Sequence, residues 1–328
     1  MTRGASPGTA TDTMARRGEV TFAARAMGSP LRLTIVTTGS SAMARRRSTV
    51  AWDAVRAEFE AAEEAMSRFR TSSEITILNR AIGAGPVAVS RRLSRALVAC
   101  DRANRVTEGR FDPRVLADLE RLGDSGAPLG TAADTSLAGR GAMPKRIVER
   151  SRAGVTLPVA VDLGGIGKGL ALRWAAAVLE SHDVRSFLLD AGGDLVSRGR
   201  GPGDVPWQIG IEDPTGGSVP LAVVSAPDRA VTTSSIRLRA WQVGDRSVHH
   251  LIDPRTGEPG GSGLLAVTVA GSDPAWAEVW SKALFLEGSG GIAAQARKRG
   301  LAAWWVSVDG SLEMTPAARP MTMWTLSA

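Results

Sequence analysis

The run Val161-Asp162-Leu163-Gly164-Gly165-Ile166-Gly167-Lys168-Gly169 joins an apolar stretch to the start of a helical pattern. Glycines let a ligand approach the backbone closely, and N–H groups at a helix start attract an anion. Lys168 adds a mobile positive charge in the first turn, where a lysine placed for structure alone would oppose the helix dipole. The run is neither a Walker A loop, since Gly169 stands where Ser or Thr should follow the lysine, nor a correctly spaced GxGxxG. Phosphate is the ligand it suits best; the alternative is a plain tight turn. Three further clusters carry polar chemistry. Gly192-Gly193-Asp194 closes the next strand, and Thr232-Thr233-Ser234-Ser235 offers hydroxyls that can bond phosphate oxygens or pair across strands. His249-His250-Leu251-Ile252-Asp253-Pro254-Arg255-Thr256-Gly257 holds two of the three histidines. Neighbours in a strand point to opposite faces, so one of the pair faces a cleft and a shared zinc ion is not expected. His182, in Ser-His-Asp at a helix end, reads as a C-terminal cap.

Taken in order with Met27-Gly28-Ser29, Met66-Ser67-Arg68-Phe69, Ser73-Glu74-Ile75, Leu78-Asn79 and Gly109-Arg110-Phe111-Asp112-Pro113, these clusters resemble the ApbE family, the FAD:protein FMN transferases. The resemblance covers about residues 22–315. It implies an α+β fold, ApbE-like and T-fold-related, with mixed sheets, packed helices and an FAD cleft between them. It also implies transfer of FMN from FAD to a threonine hydroxyl of a target flavoprotein, with AMP as the leaving group. By position, Met27, Phe69, Arg110, Phe111, Asp112, Asp162, Lys168, Thr233 and Leu251 are the implied FAD contacts. Phe69 has the shape to pack on a flat ring, its alternative being a core aromatic at a helix end. Lys168, His250 and Lys282 are the expected catalytic groups, the histidine as base or phosphate contact, while Asp253-Pro254 holds a turn.

Attack at a pyrophosphate gathers negative charge on its oxygens, so a cation must sit there. The resemblance implies a magnesium ion held by the Gly165 carbonyl, by Glu278 in place of the usual aspartate, and by the residue four positions on. That residue is Lys282 where threonine is usual. A protonated lysine has no lone pair for a metal. Either its ammonium replaces part of the ion's charge, or Glu278 and Lys282 form an i, i+4 ion pair on a helix. Two further functions stay open: a flavin-binding or flavin-trafficking protein without transfer, and an FAD pyrophosphatase using water as acceptor.

Elements around these motifs follow from periodicity. Residues 19–37 read as two strands about Met27-Gly28-Ser29, and three- and four-residue spacing gives helices near 48–66 and 90–107. VTLPVAVDLG reads as a strand, KGLALRWAAAVLESH as a helix and SFLLDAGG as a strand. Strands dominate from Trp207 to Ile252, helices recur near 276–286 and 291–299, and strands close the chain at 302–308 and 321–326. Residues 1–18 read as a disordered leader, 19–328 as one ApbE-like domain, and Gly123–Gly141 as a loop.

Composition bounds the function classes. The 328 residues are 43% hydrophobic and 22% charged, enough for a sizeable core. Net charge is +7, but it is nearly all scattered arginine, with lysine only at 145, 168, 282 and 298. Aromatics make up 5% with no tyrosine, which gives little for stacking bases, so nucleic acid is not an expected partner and an anionic small ligand fits the charge. The single cysteine, Cys100, excludes an internal disulfide and reads as a core residue. No apolar run spans a membrane. The stretch after Arg16-Arg17 lacks an export-type apolar segment, so the expected location is cytoplasmic.

Overall fold

The computed structural model describes residues 17–38, 42–124 and 145–326. Its frame is an eight-stranded antiparallel sheet built from β1 (Arg17–Ala26), β2 (Ser29–Thr38), β3 (Phe187–Ala191), β4 (Asp194–Arg198), β5 (Ala230–Ser235), β6 (Leu264–Gly271), β7 (Ala302–Ser307) and β8 (Leu312–Met314). The strands lie side by side in chain order. The β1–β2 hairpin turns at Met27 and Gly28, both with positive φ (50° and 70°).

Two-residue alternation sorts the side chains onto opposite faces. Leu31, Leu33 and Ile35 of β2, with Phe187 and Leu189 of β3, bury against helices. Leu188, Leu195, Val231 and Trp304 pack on the other face, against a three-stranded sheet of Gln208–Ile211, Ala222–Ser225 and Thr322–Thr325. The expected α+β class is thus realised as helices on one face of an antiparallel sheet and a small sheet on the other.

The helices are α1 (Ala42–Met66), α2 (Glu74–Arg80), α3 (Arg91–Val106), α4 (Leu116–Arg121), α5 (Gly167–Ser181), α6 (Pro274–Phe285) and α7 (Gly288–Lys298). Trp52, Val55, Phe59, Ala62 and Met66 form the buried stripe of α1. Cys100 is buried in α3, where burial pushes its thiol pKa up and leaves it a packing residue. Among the described residues no helix is long and apolar enough to cross a membrane.

Several boundaries differ from the sequence reading. β1 begins at Arg17 and α1 at Ala42, both earlier than their patterns suggest, and β8 has no counterpart in it. The expected VTLPVAVDLG strand is a strand only over Gly154–Thr156. Beyond Thr156 the segment takes its hydrogen bonds from helical neighbours. Val161 N–H donates to Asn79 Oδ1 at 3.0 Å, Asn79 Nδ2 donates to the Val161 carbonyl at 2.9 Å, and Asp162 N–H donates to the Pro113 carbonyl at 2.7 Å. With both backbone groups of Val161 satisfied by one side chain, no partner strand is needed. The leader expectation over residues 1–16 and the expected loop from residue 125 onward lie outside the described residues.

The contact that positions the site is the crossing of α5 with α6. A Cβ added at Gly169 would lie 2.6 Å from both the Pro274 carbonyl oxygen and Ala275 Cα. Only glycine lets the two backbones approach this closely. Gly169→Ala therefore forces the helices apart, and urea unfolding is expected to show a loss of about 1–3 kcal/mol.

Candidate active site

Three parts of the chain converge on one cleft of about 1020 Å³: the Asp162–Gly169 run entering α5, the end of β5, and the inner face of α6. A cleft of this size holds a dinucleotide-sized ligand. His250 and Arg239 reach it from the ends of a hairpin, Ala240–Val243 with Arg246–His249.

The glycine-rich run is less open to an anion than its sequence suggests. Gly167 N–H donates to the Leu163 carbonyl at 2.8 Å and Gly169 N–H to Glu278 Oε2 at 2.7 Å, so two of the N–H groups at the start of α5 are taken up within the protein. Lys168 forms an ion pair with Asp194, whose other oxygen accepts from Thr233 N–H at 3.1 Å. Burial works against the Lys168 ammonium but is outweighed by Asp194 and Glu278, so its pKa is raised. Lys168 lines the cleft as one half of a pair. Asp194, quoted in the glycine pair's motif but given no role there, is its partner.

Glu278 is buried in α6, 5% exposed, and acts as the missing cap of α5, whose own N-cap residue Ile166 has no side-chain hydrogen bond. Burial raises its pKa to about 7; Asp194 adds to this and Lys168 opposes it. One turn further on, Lys282 lies flush against Gly165: a Cβ built there would be 2.5 Å from Nζ and 2.9 Å from Cε. The i, i+4 ion pair expected between Glu278 and Lys282 is not made. The competing reason is the Gly169 N–H, which takes the carboxylate oxygen. Burial lowers the Lys282 pKa, and the fields of Asp162 and Glu278 oppose this only in part.

The two histidines separate as strand alternation requires. The His249 ring meets Phe285 edge-on at 6.0 Å and accepts from Leu251 N–H, whereas His250 turns to the cleft. Burial, then the charges of Arg239 and Lys282, depress the His250 pKa well below 6.5, so its ring is neutral. Its Nδ1 lies 3.3 Å from the Arg239 carbonyl oxygen. A carbonyl only accepts, so this contact places the proton on Nδ1 and leaves Nε2 with a free lone pair.

Phe69 is 57% exposed and lines the cleft, which removes the core-aromatic alternative. The Arg68 guanidinium sits 4.2 Å from its ring centroid. Arg68 is itself held by Asp124 at 3.0 Å and lies 3.6 Å from Asp162. Met27 lines the same cleft, its N–H donating to Glu63 Oε1 at 2.8 Å. Thr233 is the exposed residue of β5, with its hydroxyl 2.9 Å from that of Thr268. Asp162 accepts from Gly164 N–H at 2.9 Å and shapes the turn before α5.

The remaining expected contacts sit deeper. Phe111 and Leu251 are buried, 2% and 1% exposed, and Leu251 still lines the main cleft. Asp112 accepts from the Arg114 backbone and from its side chain. Arg110 is clamped between Asp253 at 2.9 Å and Glu287 at 3.1 Å. Arg110, Phe111 and Asp112 line a smaller pocket of about 20 Å³ that shares Asp162, Gly164, Arg239, His250 and Lys282 with the main cleft. Asp194 and Arg239 are two of the cleft residues to which sequence reasoning gave no role. Gly192-Gly193 marked the first, and nothing in the sequence marks the second.

A magnesium ion at the implied position would need oxygen ligands. Instead an ammonium, which has only N–H donors, lies on Gly165, and one Glu278 oxygen is committed to Gly169. Among the described residues no group of three or more His, Cys, Asp or Glu is arranged to hold a metal. These residues do not fit the ion.

Comparison with known proteins places this arrangement. The profile of the ApbE family matches residues 27–305. The FAD:protein FMN transferase of Escherichia coli K12 is 25% identical over 276 residues, spanning 81% of this chain and 79% of its own length. That of Treponema pallidum is 29% identical over 255 residues, spanning 69% and 68%. The crystal structure of the ApbE protein from Thermotoga maritima is similar with a TM-score of 0.80 at 25% identity, covering 94% of this chain and all (100%) of that one.

The Arg110 clamp is a structural element on this geometry. Arg110→Met leaves Asp253 and Glu287 without their shared cation, and urea unfolding at neutral pH is expected to show a loss of roughly 3–5 kcal/mol.

Proposed function

This chain belongs to the ApbE family, and from that premise we propose that it is an FAD:protein FMN transferase. It moves the FMN half of FAD onto a threonine hydroxyl of a target flavoprotein and releases AMP. The observation that carries this reading is a dinucleotide-sized cleft lined by an exposed aromatic ring, hydroxyls, a neutral imidazole and a cation: Phe69, Thr233, His250 and Lys282.

Each group has a role that its surroundings suit. Phe69, steadied by Arg68, offers a ring face to the isoalloxazine. Thr233 and the Lys168–Asp194 pair supply polar contacts along the phosphate-bearing part of FAD. His250 Nε2 takes the proton as the acceptor oxygen bonds to the FMN phosphorus. The bond from that phosphorus to the bridging oxygen breaks, and AMP leaves with the electron pair. The smaller pocket behind Gly165 has Arg110 as part of its wall, already neutralised by two carboxylates.

The direct test mixes the protein with FAD and a flavoprotein domain presenting an acceptor threonine. Covalent flavin fluorescence on a denaturing gel and equimolar AMP are expected. AMP without labelled acceptor would favour a pyrophosphatase, and bound FAD without AMP a flavin-binding protein. The pH profile follows from His250. Its pKa is depressed well below 6.5, so the base stays unprotonated at and above that pH. The transfer rate should therefore not fall as pH drops to 6.5, and its acid limb should lie well below that value. In His250→Ala that limb should vanish, with the rate reduced about 10²–10⁴-fold.

A further inference from the structure

Six cationic side chains line the main cleft: Arg68, Arg70, Lys168, Arg237, Arg239 and Lys282. Five have a carboxylate within contact distance. Arg68 and Arg239 reach Asp124 at 3.0 and 2.5 Å, Arg70 reaches Glu63 at 2.5 Å, Arg237 reaches Glu212 at 3.4 Å, and Lys168 pairs with Asp194. Of these six, Lys282 has none among the described residues. Asp162 and Glu278 act on it only through longer-range fields. An ammonium held in a cleft wall without a contact anion has unspent donors. Its stem lies along Gly165, where any side chain would collide with Cδ, Cε and Nζ at 3.0, 2.9 and 2.5 Å. The backbone thus leaves a groove that fixes the lysine's direction.

Resting on the transferase reading, we propose that Lys282 is the resident cation of this site, its ammonium donating to the pyrophosphate oxygens of FAD, so that substrate binding and transfer need no divalent ion. The disagreement between the residues present and a magnesium site is then a replacement of one cation by another. In the transfer step the ammonium keeps its proton. It stabilises the charge gathering on the leaving AMP phosphate, while the phosphorus–oxygen bond forms to the acceptor and breaks to AMP. Lysine is a compact point charge, suited to this without bidentate geometry.

The test uses the full chain, stripped of metal, in EDTA or in excess magnesium, with two readouts: FAD affinity from flavin fluorescence and acceptor labelling with AMP release. The expected result is equal FAD affinity and equal transfer rate in both conditions. Lys282→Met should weaken FAD binding at least about tenfold and slow transfer about 10²–10³-fold, as removal of one charge-stabilising donor does elsewhere. Lys282→Arg, which keeps the charge, should retain most of the affinity. Circular dichroism of both variants separates loss of function from loss of fold. The proposal is overturned if EDTA abolishes wild-type FAD binding or transfer, or if a folded Lys282→Met binds FAD as wild type does. Metal-independent, Lys282-dependent FAD binding with neither AMP nor label would instead sink the transferase reading and leave the cation assignment standing. Absence of FAD binding under every condition overturns both.

Discussion

The site depends on one close approach, the crossing of α5 over α6 at Gly169. There the two backbones come within a distance that no side chain permits, and a buried N–H at the helix start must find an acceptor. Glu278 answers that demand from the neighbouring helix. Its hydrogen bond fixes the rotation of α6, and rotation of a helix decides what lies one turn away. The result is that Lys282 comes to rest on Gly165. The placement of the least compensated charge in the cleft is a by-product of how two helices pack.

Around that charge the cleft is close to electrically balanced. Its other cations are held by carboxylates that are mostly themselves buried or half-buried, and such pairs contribute shape and rigidity more than attraction for a ligand. Lys282 also acts on the histidine. Together with burial and Arg239 it discourages a second positive charge on His250. One cation thereby keeps the imidazole in the form able to accept a proton. The positions of these two groups make them electrostatically interdependent.

Much of this was legible in the sequence. The glycine run before a helix, the adjacent histidines and the alternating strands carry local signals, and the structure uses them close to where they were expected. Phe69 was legible in identity but its exposure was not, because an aromatic after a helix reads alike inside and outside. What could not be read were pairings over distance. Lys168 looks free until Asp194 is brought beside it by the β3–β4 turn. Glu278 and Lys282 look like an ordinary surface pair until a buried N–H from another helix outcompetes the lysine. The false strand before Asp162 arose because apolar residues of one composition fit either a sheet or a segment pinned by Asn79. Arg110 joins residues from three separate regions, and no spacing encodes that.

The order of the strands has a kinetic consequence. Six of the seven strand pairings join neighbours reached without crossing the long helical insertion, but the seam between β2 and β3, where Ile35 meets Phe187, must wait for α1 to α5. The β1–β2 hairpin can zip early on local contacts, and the stretch from β3 to β8 can form as a meander of its own. Joining them closes a long loop, whose entropic cost grows only slowly with length. Phe69, Gly165 and Lys168 arrive with the insertion, while Thr233, His250 and Lys282 belong to the meander. The cleft therefore has no existence in either half: closing the seam completes the fold and creates the binding site in the same event.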